Sequence, residues 1–437
     1  MYNCIRMKST RNIVFSNTFF QFLGRFSQQI YVILLSFLVI RFYGNSLWGE
    51  YSVLANFVGF FYVLADLGIN QTLQRDIGPA NIKNSTLLLL LKFRFLLGLV
   101  LAFISLICAY FLGYFSYFSA ISVILSSFLI LFFGLSISVM LLYQARLKYE
   151  SITRAIVGST ALSIALSVML HMKGLINLET LILIALLNLI FTIVFLLISS
   201  GYSFKSSYLK FSIDDFQNFK LILNGTALLG LTLFLNNIMF NVDKLILPFF
   251  VNSSEVGVYS FAYKLFEIFL LVPTFIMGSF YPLLLKVKGE SQESFKKLFS
   301  SSMFLVICSW LILAPIFLFL INLFVPIIWG VQVISALPLI RYFVLFACLF
   351  FVTSPLYWLA IIENKTKQLF FIYMTAAVIN VLLNLYFIPL YGVYGAVITT
   401  IATEFYVLLA MLLVLRNFLS KDFAKIEGFR SFLGSKF

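Results

Sequence analysis

"VGVYSFAYKLFEIFLLVPTFIMG", residues 256–278, is apolar enough to enter a membrane, yet it carries Lys264 and Glu267 near its middle. A helix of about 20 apolar residues, rising about 1.5 Å per residue, crosses a hydrocarbon core roughly 30 Å thick. The stretch therefore reads as a transmembrane helix with two opposite charges one turn apart. Charges inside a membrane are costly, so this segment fixes the fold class and marks where function is to be sought.

The rest of the chain has the same texture. Of 437 residues, 62% are hydrophobic and 11% charged, which cannot clothe a soluble protein of the usual charged kind. Polar breaks divide it into twelve candidate spans: about 12–42, 47–74, 85–113, 117–144, 152–171, 177–200, 218–250, 256–285, 298–325, 332–362, 368–388 and 391–416. The polar loops "YQARLKYESITR" (143–154) and "ENKTKQ" (363–368) separate spans whose merger would put several charges in lipid. Residue-by-residue alternation of the β-barrel kind is absent. The expected fold is thus an all-α integral membrane protein of twelve helices.

The amino end lacks the short apolar core and small-residue cleavage site of a removable signal, and Met7 is an alternative start that would omit Cys4. Cys4, Cys108, Cys308 and Cys348 have no metal-like spacing and read as small side chains for packing. The single histidine, His171, has no second histidine to make a metal site and is expected as a solvated loop residue. Neither a metal nor a cofactor is expected.

The formal net charge of +14 suggests nucleic acid until the lysines and arginines are placed. With an even number of spans both termini share a side. That side carries 22 basic residues, against only Arg41 and Lys173 in the opposite loops. Basic loops stay cytoplasmic, so both termini are expected in the cytoplasm, with membrane lipids rather than nucleic acid meeting the positive charge.

The polar segment "GYSFKSSYLKFSIDDFQNFK" (201–220) divides the spans into six and six, predicting bundles over 1–205 and 206–437. "GEYS" (49–52) opens the second span and "GVYS" (257–260) opens the eighth, and each follows an Asn-Ser turn, "YGNSLW" and "VNSSEV". The match in topological position suggests parallel repeats.

Away from the span ends stand six basic residues, Arg25, Lys92, Arg94, Lys244, Lys264 and Arg341, with four acids, Asp66, Asp243, Glu267 and Glu404. At about 2.5–3.5 kcal/mol each near a helix centre, ten such charges facing lipid would cost on the order of 25–35 kcal/mol. Lys92 and Arg94, some two turns into their span, are expected to snorkel to the cytoplasmic surface. Lys264 and Glu267 share a helix face, and Asp243 is expected to reach Lys264 across the outer turn. One reading makes these charges ion pairs that hold spans together. The other makes them the lining of a wet cavity, with Arg25, Lys264, Arg341 and the Asp243–Lys244 pair meeting an anionic substrate. Asp66, Glu267 and Glu404 are then candidates to couple transport to a proton. Pro273, Pro315 and Pro355 are candidate kinks.

"FNVDKLILPFFVNSSEVGVYSFAYKLFE" (240–267) and "LYGVYGAVITTIATEFYVLLAMLLVL" (390–415) resemble the polysaccharide-transport branch of the multidrug, oligosaccharidyl-lipid and polysaccharide exporter (MOP) superfamily, which includes O-antigen flippases of the Wzx type. The likeness rests on an Asp followed by a basic residue in span seven, a polar turn, the Gly-x-Tyr-Ser opening of span eight, and "YGVYGA" opening the last span. It implies a V-shaped pair of bundles that turns an undecaprenyl-diphosphate-linked oligosaccharide from the cytoplasmic to the periplasmic leaflet of a bacterial inner membrane. The lumen would be lined by spans one, two, seven and eight. Proton or sodium would be the coupling ion, and a polymerase and a chain-length regulator of the same pathway would be the neighbours. A drug or cation antiporter of the same superfamily is the first alternative. A membrane glycan polymerase or transferase is the second, and it lacks the external loop bearing an acid/base or metal constellation that such an enzyme needs.

Overall fold

A computed structural model describes residues 2–70, 84–146, 148–200, 226 and 230–423, with the side chains at 2–18, 84–87, 145, 200, 417 and 419–423 excepted. The expected cytoplasmic segment 201–220 and the 205/206 bundle boundary lie outside what is described, as do the side chains of Cys4 and Met7.

Helices dominate the described residues: α1 (Tyr2–Tyr43), α2 (Asn45–Asp66), α3 (Asn84–Phe111), α4 (Ala120–Ala145), α5 (Tyr149–Met172), α6 (Leu178–Ser200) and α7 (230–241), then α8 (Ser253–Phe269), α9 (Leu271–Glu290), α10 (Gln292–Trp329), α11 (Ala336–Ile362), α12 (Thr366–Tyr391) and α13 (Val393–Phe423). Eleven stretches among the described residues are long and apolar enough to cross a membrane, α8 and α9 together forming one of them. Of the expected seventh span, 218–250, residue 226 and those from 230 on are described, and α7 lies within it.

Local chemistry sets the breaks. Gly44, at φ 92°, is the single residue joining α1 to α2, and Gly392 joins α12 to α13 at φ 55°. Only glycine takes such angles freely. Ser119 and Ser291 cap α4 and α10, each accepting a hydrogen bond from a backbone N–H three residues on. The opening stretch breaks at Leu270 because Pro273 has no N–H to give the Phe269 carbonyl and its ring crowds that oxygen. Pro315 and Pro355, by contrast, lie inside α10 and α11, which run on past them. Pro248 has the same relation to Lys244 as Pro273 to Phe269. Beyond α7 the chain takes a single helical turn, Asp243–Ile246, and then a tighter 3-10 turn, Leu247–Phe249.

The chain forms two compact units, Met1–Asn237 with Asn252–Gly257, and Ile238–Val251 with Val258–Phe437. In the first, α4 lies against α3 and α6, and α5 lies against α1 and α6. Its apolar centre includes Val139, Leu142, Ile152, Ile156 and Leu196. Small hydroxyl residues knit the helices where lipid offers no hydrophobic drive: Thr192 donates to Ser159 at 2.8 Å, Ser105 to Ser127 at 2.8 Å, and Asn188 to Ser163 at 3.0 Å.

The two glycines of the repeated motif meet within this unit. A Cβ on Gly49 would stand 1.9 Å from the Ser253 carbonyl oxygen, and one on Gly257 would stand 2.0 Å from that of Asn45. Each glycine covers the carbonyl four residues before the other, so the contact is reciprocal and excludes any side chain at either position.

In the second unit α13 lies against α11 and α12, while α10 lies against α9 and α11. Phe266 stacks on Phe343 with ring centroids 4.9 Å apart and meets Phe350 edge-on at 5.2 Å, fixing α8 against α11. Cys108, Cys308 and Cys348 are unbridged and half-buried, as packing residues are.

Candidate functional site

The polar cluster of the second unit grows from the break after α7 and one face of α8. Tyr259, Tyr263 and Glu267 are spaced by four, so they stand above one another on α8. Asp243 accepts the Lys244 backbone N–H at 2.8 Å, and Tyr259 donates its hydroxyl to the other carboxylate oxygen. Lys244 Nζ donates to Asn241 at 2.7 Å and to Glu267 at 3.3 Å, and it lies 3.7 Å from the centre of the Tyr263 ring. Tyr263 in turn donates to the Phe240 carbonyl at 2.7 Å. Lys264 donates to the second oxygen of Glu267.

Two carboxylates and two ammonium groups thus cancel, which is how a membrane interior tolerates them. The burial is graded. Asp243 is 2% exposed and Lys244 4%, whereas the side chains of Lys264 and Glu267 are 30% and 32% exposed. The inner pair is structural in character. The outer pair is partly exposed, and Lys264 is bonded to Glu267.

Other expected site residues lie elsewhere. Arg341 in α11 is exposed and donates to Asn322 of α10 at 2.8 Å, with no bond to the cluster. Glu404 in α13 is buried, and its hydrogen-bond partner is Thr353 of α11. Arg25 and Asp66 belong to the first unit, where Arg25 is exposed. Asp243 does not bond Lys264 as expected: Tyr259 and its own neighbour's N–H take its oxygens, and Lys264 turns to Glu267 one helical turn on.

Arg94 does not snorkel. It is 1% exposed and donates to Asp66 at 2.8 Å, Asn70 at 3.0 Å and Ser138 at 3.2 Å, tying α3 to the end of α2 and to α4. A buried guanidinium with three acceptors is better satisfied there than stretched toward a distant surface. Lys92, two residues earlier, lies on another face of α3 and is partly exposed. His171 is not a free loop residue either. It lies in the last turn of α5, with Nδ1 3.0 Å from the Tyr43 hydroxyl and its ring 4.5 Å from that of Phe42. Sequence reasoning passed over Tyr259 and Tyr263 as site residues, although their spacing to Glu267 is the signal that finds them. Among the described residues no group of three or more His, Cys, Asp or Glu is placed to hold a metal ion.

Residues 14–288 match the model of a family described as polysaccharide biosynthesis proteins. No curated protein sequence matches the chain. Among solved structures, the chain is similar to an inward-facing multidrug resistance MATE transporter of the MOP superfamily (14% identity, 91% of this chain and 96% of that one, TM-score 0.69). It is similar to the lipid II flippase MurJ in an inward closed conformation (16% identity, 91% and 87%, TM-score 0.66). A third is a MOP superfamily transporter from Pyrococcus furiosus, described as having a binding pocket of reversed polarity that suggests a different function (14% identity, 93% and 95%, TM-score 0.63). These identities are low, and the likeness is one of fold.

Proposed function

We propose, for a chain that belongs to the polysaccharide biosynthesis protein family and has a MOP superfamily fold, that it is a flippase for an undecaprenyl-diphosphate-linked oligosaccharide. The substrate would be an O-antigen or similar polysaccharide repeat unit. It would be turned from the cytoplasmic to the periplasmic leaflet of a bacterial inner membrane by alternating access, with both termini in the cytoplasm. The observation that carries this reading is the family match over residues 14–288.

The charges support it in detail. A diphosphate needs cations that can leave their own partners, and Lys264 is the accessible lysine of the balanced cluster. Arg25 and Arg341, both exposed within apolar helices, are the other candidate phosphate contacts. Lys244 and Asp243 would act by holding α8 in place, because both are buried and mutually compensated. Of the coupling candidates, Asp66 and Glu267 already have cationic partners. The polyprenyl tail would stay in lipid, while tyrosine and tryptophan rings offer faces to the sugars.

A drug or cation antiporter is the second reading, favoured by the fold shared with a MATE transporter and by a cluster that is balanced rather than basic. Deleting the chain's gene from its host should remove polysaccharide built from lipid-linked repeat units from the cell surface. Expression of a flippase matched to the same repeat unit should restore it. Unchanged surface polysaccharide together with heightened accumulation of a cationic dye would select the antiporter instead.

A further inference from the structure

The acids that the sequence places within spans fall into two kinds. Asp66 is bonded to Arg94, Asp243 lies beside Lys244, and Glu267 is held by Lys244 and Lys264. Glu404 differs. It sits near the middle of the span Val393–Arg416, 2% exposed, and among the described residues no lysine or arginine forms an ion pair with it.

The titratable groups facing it from neighbouring helices are Tyr373 of α12 and Tyr263 of α8, and both are neutral phenols when protonated. Thr353 of α11 gives it a hydroxyl. Behind lies an uncharged amide ladder, in which Asn380 donates to Thr403 at 3.1 Å and Asn384 donates to Asn380 at 2.8 Å. An ionised carboxylate in such a place would be an uncompensated charge at membrane depth, whereas the carboxylic acid needs only hydrogen bonds.

Thr353 suits either form. Its hydroxyl hydrogen has a second acceptor in the Phe350 carbonyl at 3.4 Å, so the oxygen can accept from a protonated Glu404 or turn and donate to an ionised one. Tyr263 then links the acid to the charged cluster, since its ring lies under the Lys244 ammonium. A charge appearing on Glu404 would act on the same tyrosine that carries Lys244.

We propose that Glu404 is an exchangeable proton site of the second unit, held as a neutral carboxylic acid and releasing its proton to water as the carboxylate forms, with Thr353 serving both states. The inference deepens the transport reading by selecting, among the three coupling candidates, the one acid that has no cationic partner among the described residues, and by selecting the proton as its ion. A sodium ion needs several oxygen ligands, and the only side-chain oxygen bonded to Glu404 among the described residues is that of Thr353.

Infrared spectroscopy of the purified full-length protein, without any substrate, tests it independently of what is transported. At neutral pH the wild type should show a carboxylic-acid C=O stretch that shifts in heavy water and vanishes as pH is raised. Glu404→Gln, of the same shape and unable to ionise, should lose the band, while Asp66→Asn, Asp243→Asn and Glu267→Gln retain it. Thr353→Val, which keeps the acid, should displace the pH midpoint of the band and so reports even if Glu404→Gln folds poorly. The proposal is overturned if the band is absent from the wild type or persists in Glu404→Gln. It is equally overturned if the band does not respond to heavy water, which would make Glu404 a sealed structural acid.

Discussion

Replacing Arg94 by methionine should lower stability by about 3–5 kcal/mol, the cost of removing one partner from a buried ion pair. The guanidinium supplies Asp66, Asn70 and Ser138 with donors from a position 1% exposed, and methionine fills the space without replacing any of them. The carboxylate of Asp66 then loses its bond to the arginine. The double variant Arg94→Met, Asp66→Asn should recover part of the loss, because an amide at position 66 is less costly to bury without the guanidinium than a carboxylate is. Lys92→Met is the control: Lys92 is partly exposed on another face of the same helix, and its replacement should cost less than about 1 kcal/mol. Thermal unfolding of the four proteins in one detergent measures the set. Equal melting of Arg94→Met and Lys92→Met would show that the Asp66–Arg94 bond does not tie α2 to α3.

Lys244 and Lys264 should separate stability from transport. Lys244 is buried and holds Asn241, Glu267 and the Tyr263 ring together. Lys244→Met should therefore destabilise by about 3–5 kcal/mol, and transport should fall because less folded protein reaches the membrane. Lys264 is the more exposed, and Glu267 keeps Lys244 when Lys264 is gone. Lys264→Ala should cost stability no more than about 1 kcal/mol. Losing a charge-assisted contact of about 1.5–3 kcal/mol to a phosphate would still lower transport roughly tenfold to a hundredfold. Melting temperature and transport rate, measured on the same preparations, should rank the two variants in opposite ways. A stable Lys264→Ala that transports at the wild-type rate would remove Lys264 from the substrate path.

What the sequence showed and what it hid follow from how each feature is encoded. Spans are legible because twenty apolar residues in a row have few other uses, and their number needed nothing beyond the polar breaks between them. The Lys264–Glu267 pair was legible because both residues lie on one helix, where spacing fixes which side chains meet. Arg94 was misread because its acceptors come from α2, α4 and the segment after α2, and no periodicity within α3 points to them. Asp243 failed to reach Lys264 for a similar reason: beyond the break after α7 its carboxylate meets Tyr259 of α8, a partner that no spacing within span seven points to. The Gly49 and Gly257 echo was visible as letters, but its cause is a backbone contact that only the folded chain displays. His171 looked solvated because a lone histidine beside a Lys-Gly turn usually is, and its aromatic neighbours are over a hundred residues away on α1.

The most direct test of the account is transbilayer movement of the substrate itself. Purified protein in vesicles seeded with undecaprenyl-diphosphate-linked oligosaccharide on the inner leaflet should bring the glycan within reach of an external glycosidase or lectin. The rate should fall sharply in Lys264→Ala and be unaffected by an unrelated cationic dye. Vesicles that move the dye in exchange for ions while the oligosaccharide stays on its original leaflet would contradict the flippase reading and leave the antiporter in its place.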